Sequence, residues 1–560
     1  MSAGGYVLGE AGAVGLYLPL DRASRTPLQE QIYAGLRSAI LDGRLPPGRR
    51  LPASRALATD LGVSRNTVKG AYLRLTGEGY VRGRTGSGTY VVPEVPEALL
   101  RPDAGLPTDH PVSSGTGGGL GRGDPEGAPA RGKGDGSGAR AEGERPGRSV
   151  SRRGARLAGI PAKVAVASGS PRPFRPGMPA VDAFPWRVWS RISARRWRRP
   201  PRRWLVYGDP AGYRPLREAI ADHLRSARAV NCSWERVVVV SGSQQALDLS
   251  ARVLLDPGDE VWVEEPGYPG AKGAFSGAGA KLAPVPVDGE GLDVAAGERL
   301  APGARLAFVS PSHQYPTGVT MGLSRRLALL DWAERRGSWV VEDDYDGEYR
   351  YAGAPLPALQ GLDEGFGESG AGRGPSSGRV VYVGTFSKVL YPALRLGFLV
   401  APPDLVEAFV VAKELADRQA PTMEQAVLAD FVSEGHLATH LRRTRALHAR
   451  RGEALASALR ARMGGLLEAE PPAAGLHLLA RLAGEGGRRE GSEGDPLHDD
   501  RRASEAALRS GVEALPLSAF HANPPARPGG LVLGYAGFAE DEIFRAVERL
   551  EGAFEARGGG

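Results

Sequence analysis

The stretch GTFSKVLYPALRLGF, residues 384–398, follows the strand-like run VVYV and sets one lysine, Lys388, among aliphatic and aromatic neighbours. A charged ammonium is costly in apolar surroundings. Burial therefore lowers a lysine's pKa, and the neutral amine that results attacks aldehydes. The competing reading is a lysine at a strand end, its stem on apolar surface and its ammonium in water. Which reading holds depends on what the rest of the chain brings to the same place.

Four other segments bear on it. SWVVEDDYDGEY, residues 338–349, places Asp343, Asp344 and Tyr345 at the carboxyl end of an apolar run, where open α/β sheets bind ligands. RVVVVSGSQQALDL, residues 236–249, reads as strand, turn and helix, so Ser243 and Gln244 can meet an anion at a helix start. EEPGYPG sets Tyr268 after another strand, where its ring can cover a flat ligand. Arg395, seven residues beyond Lys388, can offset a phosphate if the chain folds back. An amine for an aldehyde, an acid for a pyridine nitrogen, an aromatic cover and an anion cradle are what pyridoxal 5'-phosphate requires. From about residue 166 onward, apolar strand-like runs alternate with helical patterns, the signature of an α/β domain with a largely parallel sheet.

At 560 residues the chain is too long for one ordinary domain. It holds no apolar run long enough for a membrane span. The opening MSAGGYVLGEAGAVGLYLPL lacks the basic start and cleavage site of a signal peptide. The single cysteine, Cys232, allows no intramolecular disulfide and fits a reducing, cytoplasmic setting. A formal net charge of +7 permits a nucleic-acid partner.

Such a partner is what residues 22–92 prepare for. Leu28, Ile32, Leu36 and Ile40 form one apolar stripe, LPPGRRLP breaks the helix, and Ser54 is placed to cap a second helix that Gly62 ends. Ser64 is placed to cap a third, RNTVKGAYLRLT, with Val68, Ala71, Tyr72 and Leu75 inward. This is helix-turn-helix logic, and GYVRGRTGSGTYVV supplies a wing. Arg65, Asn66, Thr67 and Lys69 are the candidates for a major groove of double-stranded DNA, with Arg55 and Arg84 for phosphates. Residues 93–165, rich in Gly, Pro, Ser and Arg, read as a flexible linker. Two Gly- and charge-rich patches, 362–378 and 483–502, read as exposed loop insertions in the large domain at 166–560. In ISARRWRRPPRRW, residues 192–204, the choice is between a DNA-flanking basic surface and an amphipathic helix with packed tryptophans and solvated arginines. His313 and His477 show no metal-ligand spacing, and no metal is expected.

QIYAGLRSAILDGRLPPGRRLPASRALATDLGVSRNTVKGAYLRLTGEGYV with GSGTYVV resembles the winged helix of GntR-type regulators. FRPGMPAVDAFPWRVW, YGDPAGYRPLREAIADHL, SGSQQALDL, VEEPGYPG, PSHQYPTG, EDDYDGEYRY, TFSKVLYPALRLGF and HLRRTRALHARR resemble fold-type I aminotransferases. The two joined resemble MocR-type regulators. The resemblance implies that Lys388 carries pyridoxal phosphate, and that Asp343, with Asp344 as competitor, meets the pyridine nitrogen. It also implies that Tyr345 bonds the phenolic oxygen and that Tyr268 stacks on the ring. Ser243, Gln244, Thr385 and Arg395 would hold the phosphate, and Tyr207 would reach it from the other subunit of a homodimer. Two departures stand out. Tyr315, after His313 and Gln314, occupies the place of the usual asparagine before Pro-Thr-Gly. Val532 and Leu533 occupy the late strand where a substrate-clamping arginine is usual, with Arg527 upstream. The expected function is a regulator that senses pyridoxal phosphate or an amino compound. The alternative is a working aminotransferase tethered to DNA.

Overall fold

The computed structural model describes residues 5–8, 16–24, 26–84, 88–93, 150–160, 171–353, 356–363, 378–483, 499–523 and 529–555. Strands β1 (Gly5–Leu8) and β2 (Leu16–Pro19) pair antiparallel ahead of helix α1 (Leu28–Leu41), and Leu18 and Leu20 enter the first core. The reader unit therefore begins before residue 22. Helices α2 (Ser54–Asp60) and α3 (Arg65–Gly77) follow, then the wing strands β3 (Val81–Arg84) and β4 (Gly88–Val91). Ile32, Leu36 and Ile40 of α1 pack against Val68, Ala71, Tyr72 and Leu75 of α3. Gly70 lets the two helices close, since a Cβ there would sit 2.4 Å from Gln29 Oε1. Ser64 caps α3, its Oγ accepting from Thr67 N at 3.1 Å. Ser54, expected as a cap, is instead the first helical residue: the extended residue before it is Ala53, and no side chain caps α2. Ala53, at φ −60° and ψ 138°, is the last extended residue, so the helix starts at Ser54 itself.

Of the expected linker, residues 94–149 and 161–165 lie outside the described residues. Within it, however, Arg152–Gly159 is a helix, α4, capped by Ser151. It packs on the large domain, where Gly277 leaves room for Leu157.

The large domain begins with α5 (Trp186–Arg198) and α6 (Arg214–Ala227). It then builds an eight-stranded sheet in the order β5-β12-β11-β10-β9-β6-β7-β8. The strands are β5 (Val237–Val240), β6 (Glu260–Glu265), β7 (Lys281–Asp288), β8 (Gly291–Leu292), β9 (Leu306–Val309), β10 (Trp339–Asp343), β11 (Val380–Thr385) and β12 (Gly397–Val400). β6, β7, β9, β10 and β11 run parallel, while β12 runs antiparallel between β11 and β5. VVVV of β5 and VVYVGT of β11 are buried throughout because helices cover both faces of a parallel sheet. Helices α7 (Ser243–Leu254) and α8 (Pro269–Ala278) follow β5 and β6.

The last part of the chain forms a smaller antiparallel sheet, β13-β14-β16-β15, from Leu467–Glu468, His477–Leu482, Gly530–Gly534 and Leu515–Pro516. It lies against the long helix His436–Met463 and the helix Glu540–Glu555. Most of both expected insertions, 364–377 and 484–498, lies outside the described residues. The second was drawn too long: Asp499 caps a helix beginning at Asp500, with Arg502 N donating to its Oδ1 at 2.7 Å.

Candidate cofactor site and nucleic-acid interface

The carboxyl ends of β10 and β11 and the start of α7 converge, as strand ends do in an open α/β sheet. Lys388, just past β11, donates from Nζ to Gly177 O at 2.9 Å. Burial pulls its pKa below the ordinary lysine range, while Asp346 and Asp343 pull it back up.

The two neighbouring aspartates at the end of β10 differ sharply. Asp344 is claimed by Arg228, with Nε to Oδ2 at 2.7 Å and Nη2 to Oδ1 at 3.1 Å. Tyr382 Oη donates to the same carboxylate at 2.6 Å. Burial would raise Asp344, but the Arg228 charge and these bonds outweigh it and hold the pKa below the usual carboxylate value. Asp343 is also buried, yet its Oδ1 has no partner among the described residues. Burial, reinforced by Asp344 and Asp346, pushes it up to about 7. An orphaned buried carboxylate oxygen fits a donor that the protein does not itself supply, and the protonated nitrogen of a pyridine is such a donor.

The anion cradle forms around Gly242, whose φ of 101° turns the chain into α7. Arg395, itself at φ 51°, folds back so that its Nη2 donates to Ser241 O at 2.6 Å. Ser243 and Gln244 open α7, and Gln244 Nε2 bonds Gly270 O at 2.9 Å. Thr385 ends β11, its Oγ1 accepting from Ser387 N at 3.1 Å, while Ser387 Oγ is buried without a partner among the described residues. A guanidinium, hydroxyls and a helix N-terminus together suit a phosphate.

Tyr268 precedes α8 and meets Tyr315 edge-on at 6.0 Å. Burial, with the Asp343 charge, pushes its phenol up to about 12. Tyr345 Oη lies 3.1 Å from His313 Nδ1, which also bonds Asp346 Oδ2 at 3.0 Å. Lys388, Asp343, Tyr345, Tyr268, Ser243, Gln244, Thr385 and Arg395 are thus gathered. Tyr207 is not among them: it is 78% exposed, and its described contact is with Arg418, 4.8 Å from the ring.

Several site residues escaped the sequence reading. Arg228 gives no local sign, since it meets Asp344 across 116 residues. Glu264, buried at the end of β6, accepts from Ser310 N at 3.1 Å and Gln314 Nε2 at 3.2 Å, and burial pushes it up to about 8. His313 and His477 converge with Asp346, their ligand atoms within 4.8 Å of one another, although their sequence spacing had argued against any such cluster. Both are already engaged, His313 as above and His477 Nε2 at 3.2 Å from Pro316 O. Val532 is fully buried in β16, and Arg527 lies outside the described residues.

In the reader, Arg55, Arg65, Asn66 and Lys69 are exposed. Thr67 is half-buried, its hydroxyl 2.8 Å from Ser64 Oγ, so it serves the cap. Arg84 ends β3, and its side chain lies outside the described residues, as does the wing tip 85–87. The basic run divides: Arg195 and Arg196 each donate to Asp430 Oδ2 at 2.7 Å. Trp204 packs edge-on to Tyr213 at 5.6 Å, whereas Trp197 is 59% exposed.

The profile for aminotransferase class I and II matches residues 193–550. That for the gntR family of bacterial regulatory proteins matches residues 28–91. The chain is 39% identical over 546 residues to the probable rhizopine catabolism regulatory protein MocR of Rhizobium meliloti, covering 96% of each. It is 32% identical over 445 residues to the HTH-type transcriptional regulator TauR of Rhodobacter capsulatus, covering 77% of this chain and 79% of that one. Among solved structures it resembles the α-aminoadipate aminotransferase LysN of Thermus thermophilus, complexed with N-(5'-phosphopyridoxyl)-L-leucine. The TM-score is 0.60 at 32% identity, over 68% of this chain and 92% of that one. Fold and site define a DNA-binding transcriptional regulator fused to a domain for pyridoxal 5'-phosphate. The chain belongs to the MocR-type regulators, in which a gntR-family winged helix precedes a class I and II aminotransferase domain. No helix among the described residues is long and apolar enough to cross a membrane.

Proposed function

We propose that this regulator holds pyridoxal phosphate at Lys388, senses the cofactor or an amine that reacts with it, and transmits its state to the winged helix. The single observation that carries the reading is the contrast at the end of β10. Asp344 is locked to Arg228, while Asp343 keeps a buried oxygen without a partner beside a desolvated lysine. Asp343 receives the pyridine nitrogen and keeps it protonated. Tyr345, oriented by His313, bonds the phenolic oxygen, and Tyr268 covers the ring and excludes water. Ser243, Gln244, Thr385 and Arg395 hold the phosphate. The cofactor supplies an aldehyde to the lysine and, in its ring, a sink for electrons.

The protein acts in the cytoplasm as a homodimer. Leu205, Val206 and Tyr207 form a consecutive apolar stretch exposed at 67%, 64% and 78%, an arrangement that supports burial against a second copy. Tyr207 then serves the partner's phosphate. In the reader, Arg65, Asn66 and Lys69 face the major groove, while Arg55 and Arg84 meet phosphates. Coupling between the two units equals the difference in effector affinity between DNA-competent and incompetent states.

The test is the absorption spectrum of the purified protein beside Lys388→Ala, together with operator titration by gel shift. A near-visible band in the wild type alone, removed by borohydride, and an operator affinity that changes on loading support the reading. No band after cofactor addition, or identical operator affinity with and without it, refutes it.

A further inference from the structure

The charge of the chain is not spread evenly. Between Asp182 and Asp209 the sequence holds eight arginines and no acidic residue, more positive charge than the net +7 of the whole protein. Helix α5 carries most of them, and its packing sorts them. Val188, Trp189 and Ile192 pack into the core, and Arg196 bonds Asp430 on the helix Thr422–Ser433. Arg187, Arg191 and Arg198 are exposed on the opposite face. They fall within roughly 40° of one another around the axis and along roughly 16 Å of it. Ser190 and Ala194, small and also exposed, stand between them. Arg199, Arg202 and Arg203 continue the exposed run beyond the helix. Of the eight, Arg195 and Arg196 have acidic partners, Asp430 and Glu434, and the other six have none among the described residues.

A face that merely stays solvated is built differently in this protein. Other helices set opposite charges four residues apart, as in Arg214–Glu218, Asp248–Arg252, Asp331–Arg335 and Asp541–Arg545. On α5 the same spacing joins Arg187 to Arg191 and Arg191 to Arg195, so these pairs repel. The helix dipole favours cations in the last turn alone, which leaves Arg187 and Arg191 without a reason. A polyanion laid across this face turns the repulsion into attraction and sheds its own counterions. DNA is the polyanion that the protein already holds through its winged helix. Once the reader is bound, flanking duplex is tethered to the same chain at high effective concentration, so modest arginine–phosphate contacts suffice.

We infer that the outer face of α5 is a second DNA contact, which grips the sugar-phosphate backbone beside the operator without reading bases. The contact depends neither on Lys388 nor on a cofactor.

The experiment uses full-length protein and a duplex recovered with it from a random-sequence pool. The duplex is either trimmed to the bases fixed by selection or extended by about two helical turns of scrambled sequence on each side. Affinities are read by fluorescence anisotropy over a series of salt concentrations. The wild type should bind the extended duplex at least ~10-fold more tightly than the trimmed one at low salt. The triple variant Arg187→Ala, Arg191→Ala, Arg198→Ala should lose that gain and bind the trimmed duplex as the wild type does. Its slope of log affinity against log salt on the extended duplex should fall by about 2.7, three contacts at about 0.9 each. Equal affinity of the wild type for the two duplexes, or a gain kept by the variant, overturns the inference. So does a variant that binds both duplexes as the wild type does but changes in sedimentation or in adsorption to phosphatidylglycerol vesicles, since the face then belongs to a second copy or to a lipid surface. Should the triple variant fail to fold, Arg202→Ala with Arg203→Ala, outside α5, makes the same test with a slope change of about 1.8.

Discussion

Replacing each of the two adjacent aspartates by asparagine should give opposite results. Asp344→Asn leaves the Arg228 guanidinium, 4% exposed, without its compensating charge. Breaking a buried, hydrogen-bonded pair from one side costs about 3–5 kcal/mol. Asp343→Asn removes a carboxylate that burial already disfavours, and its Oδ1 loses no bond among the described residues. The Asp343 pKa is raised from 3.8 to about 7 in the folded chain. Between those values the folded state holds a proton that the unfolded state has released, so stability falls as pH rises through this window and levels off above it. At 1.36 kcal/mol per pH unit the full effect is roughly 4 kcal/mol as an upper figure. Asp343→Asn should remove that share of the slope in the cofactor-free protein. Glu264 and Glu342, raised to about 8 and about 7, add to the slope in an overlapping window in both proteins; because the Asp343 charge helps raise Glu264, the difference between the two proteins also includes that coupling. All eight tryptophans lie between Trp186 and Trp339. Denaturant unfolding followed by tryptophan fluorescence at pH 5 and pH 8 therefore reports the large domain alone. Near-wild-type stability of Asp344→Asn at pH 8, or an unchanged pH slope in Asp343→Asn, would refute the reasoning.

Three further outcomes are expected. Ser64→Ala removes the cap of α3 and should lower the stability of the reader by about 1 kcal/mol. It would be read as roughly 5-fold weaker amide protection from Val68 to Leu75, with Ser64→Asp retaining protection. Arg55→Ala should weaken operator binding for all sequences and reduce the slope of log affinity against log salt by about 0.9, whereas Asn66→Ala should leave that slope unchanged and relax sequence preference. Gly177→Ala places a Cβ 2.4 Å from Lys388 Nζ at a backbone φ of 78°, so cofactor loading should fall while the reader's affinity for DNA in the unloaded state stays as in the wild type.

What the sequence discloses follows the range over which each interaction acts. The Ser64 cap, the inward face of α3 and the turn at Gly242 depend on neighbours within a few residues, and a linear reading finds them. The choice between Asp343 and Asp344 does not. Both end the same strand and point to opposite sides of the sheet, and what separates them is Arg228, brought in by a helix end far back in the chain. His313, Asp346 and His477 converge only because β14 of the small sheet is laid across the loop after β9. The run at 192–204 mixes both of its readings: Arg195 and Arg196 find acidic partners on the helix Thr422–Ser433, which no local pattern announces.

The bond from Lys388 Nζ to Gly177 O has a further meaning. Gly177 lies in a strap whose Phe174 is bridged to Gly534 of the small sheet, so the lysine joins the end of the large sheet, through one backbone carbonyl, to a segment paired with the small one. Covalent use of the nitrogen by the proposed cofactor would leave it at most one N–H and would redirect it away from this carbonyl. The lysine is then a latch as well as a handle. On the proposed reading, loading the cofactor would replace this contact between the end of the large sheet and the strap, and would do so before any effector arrives.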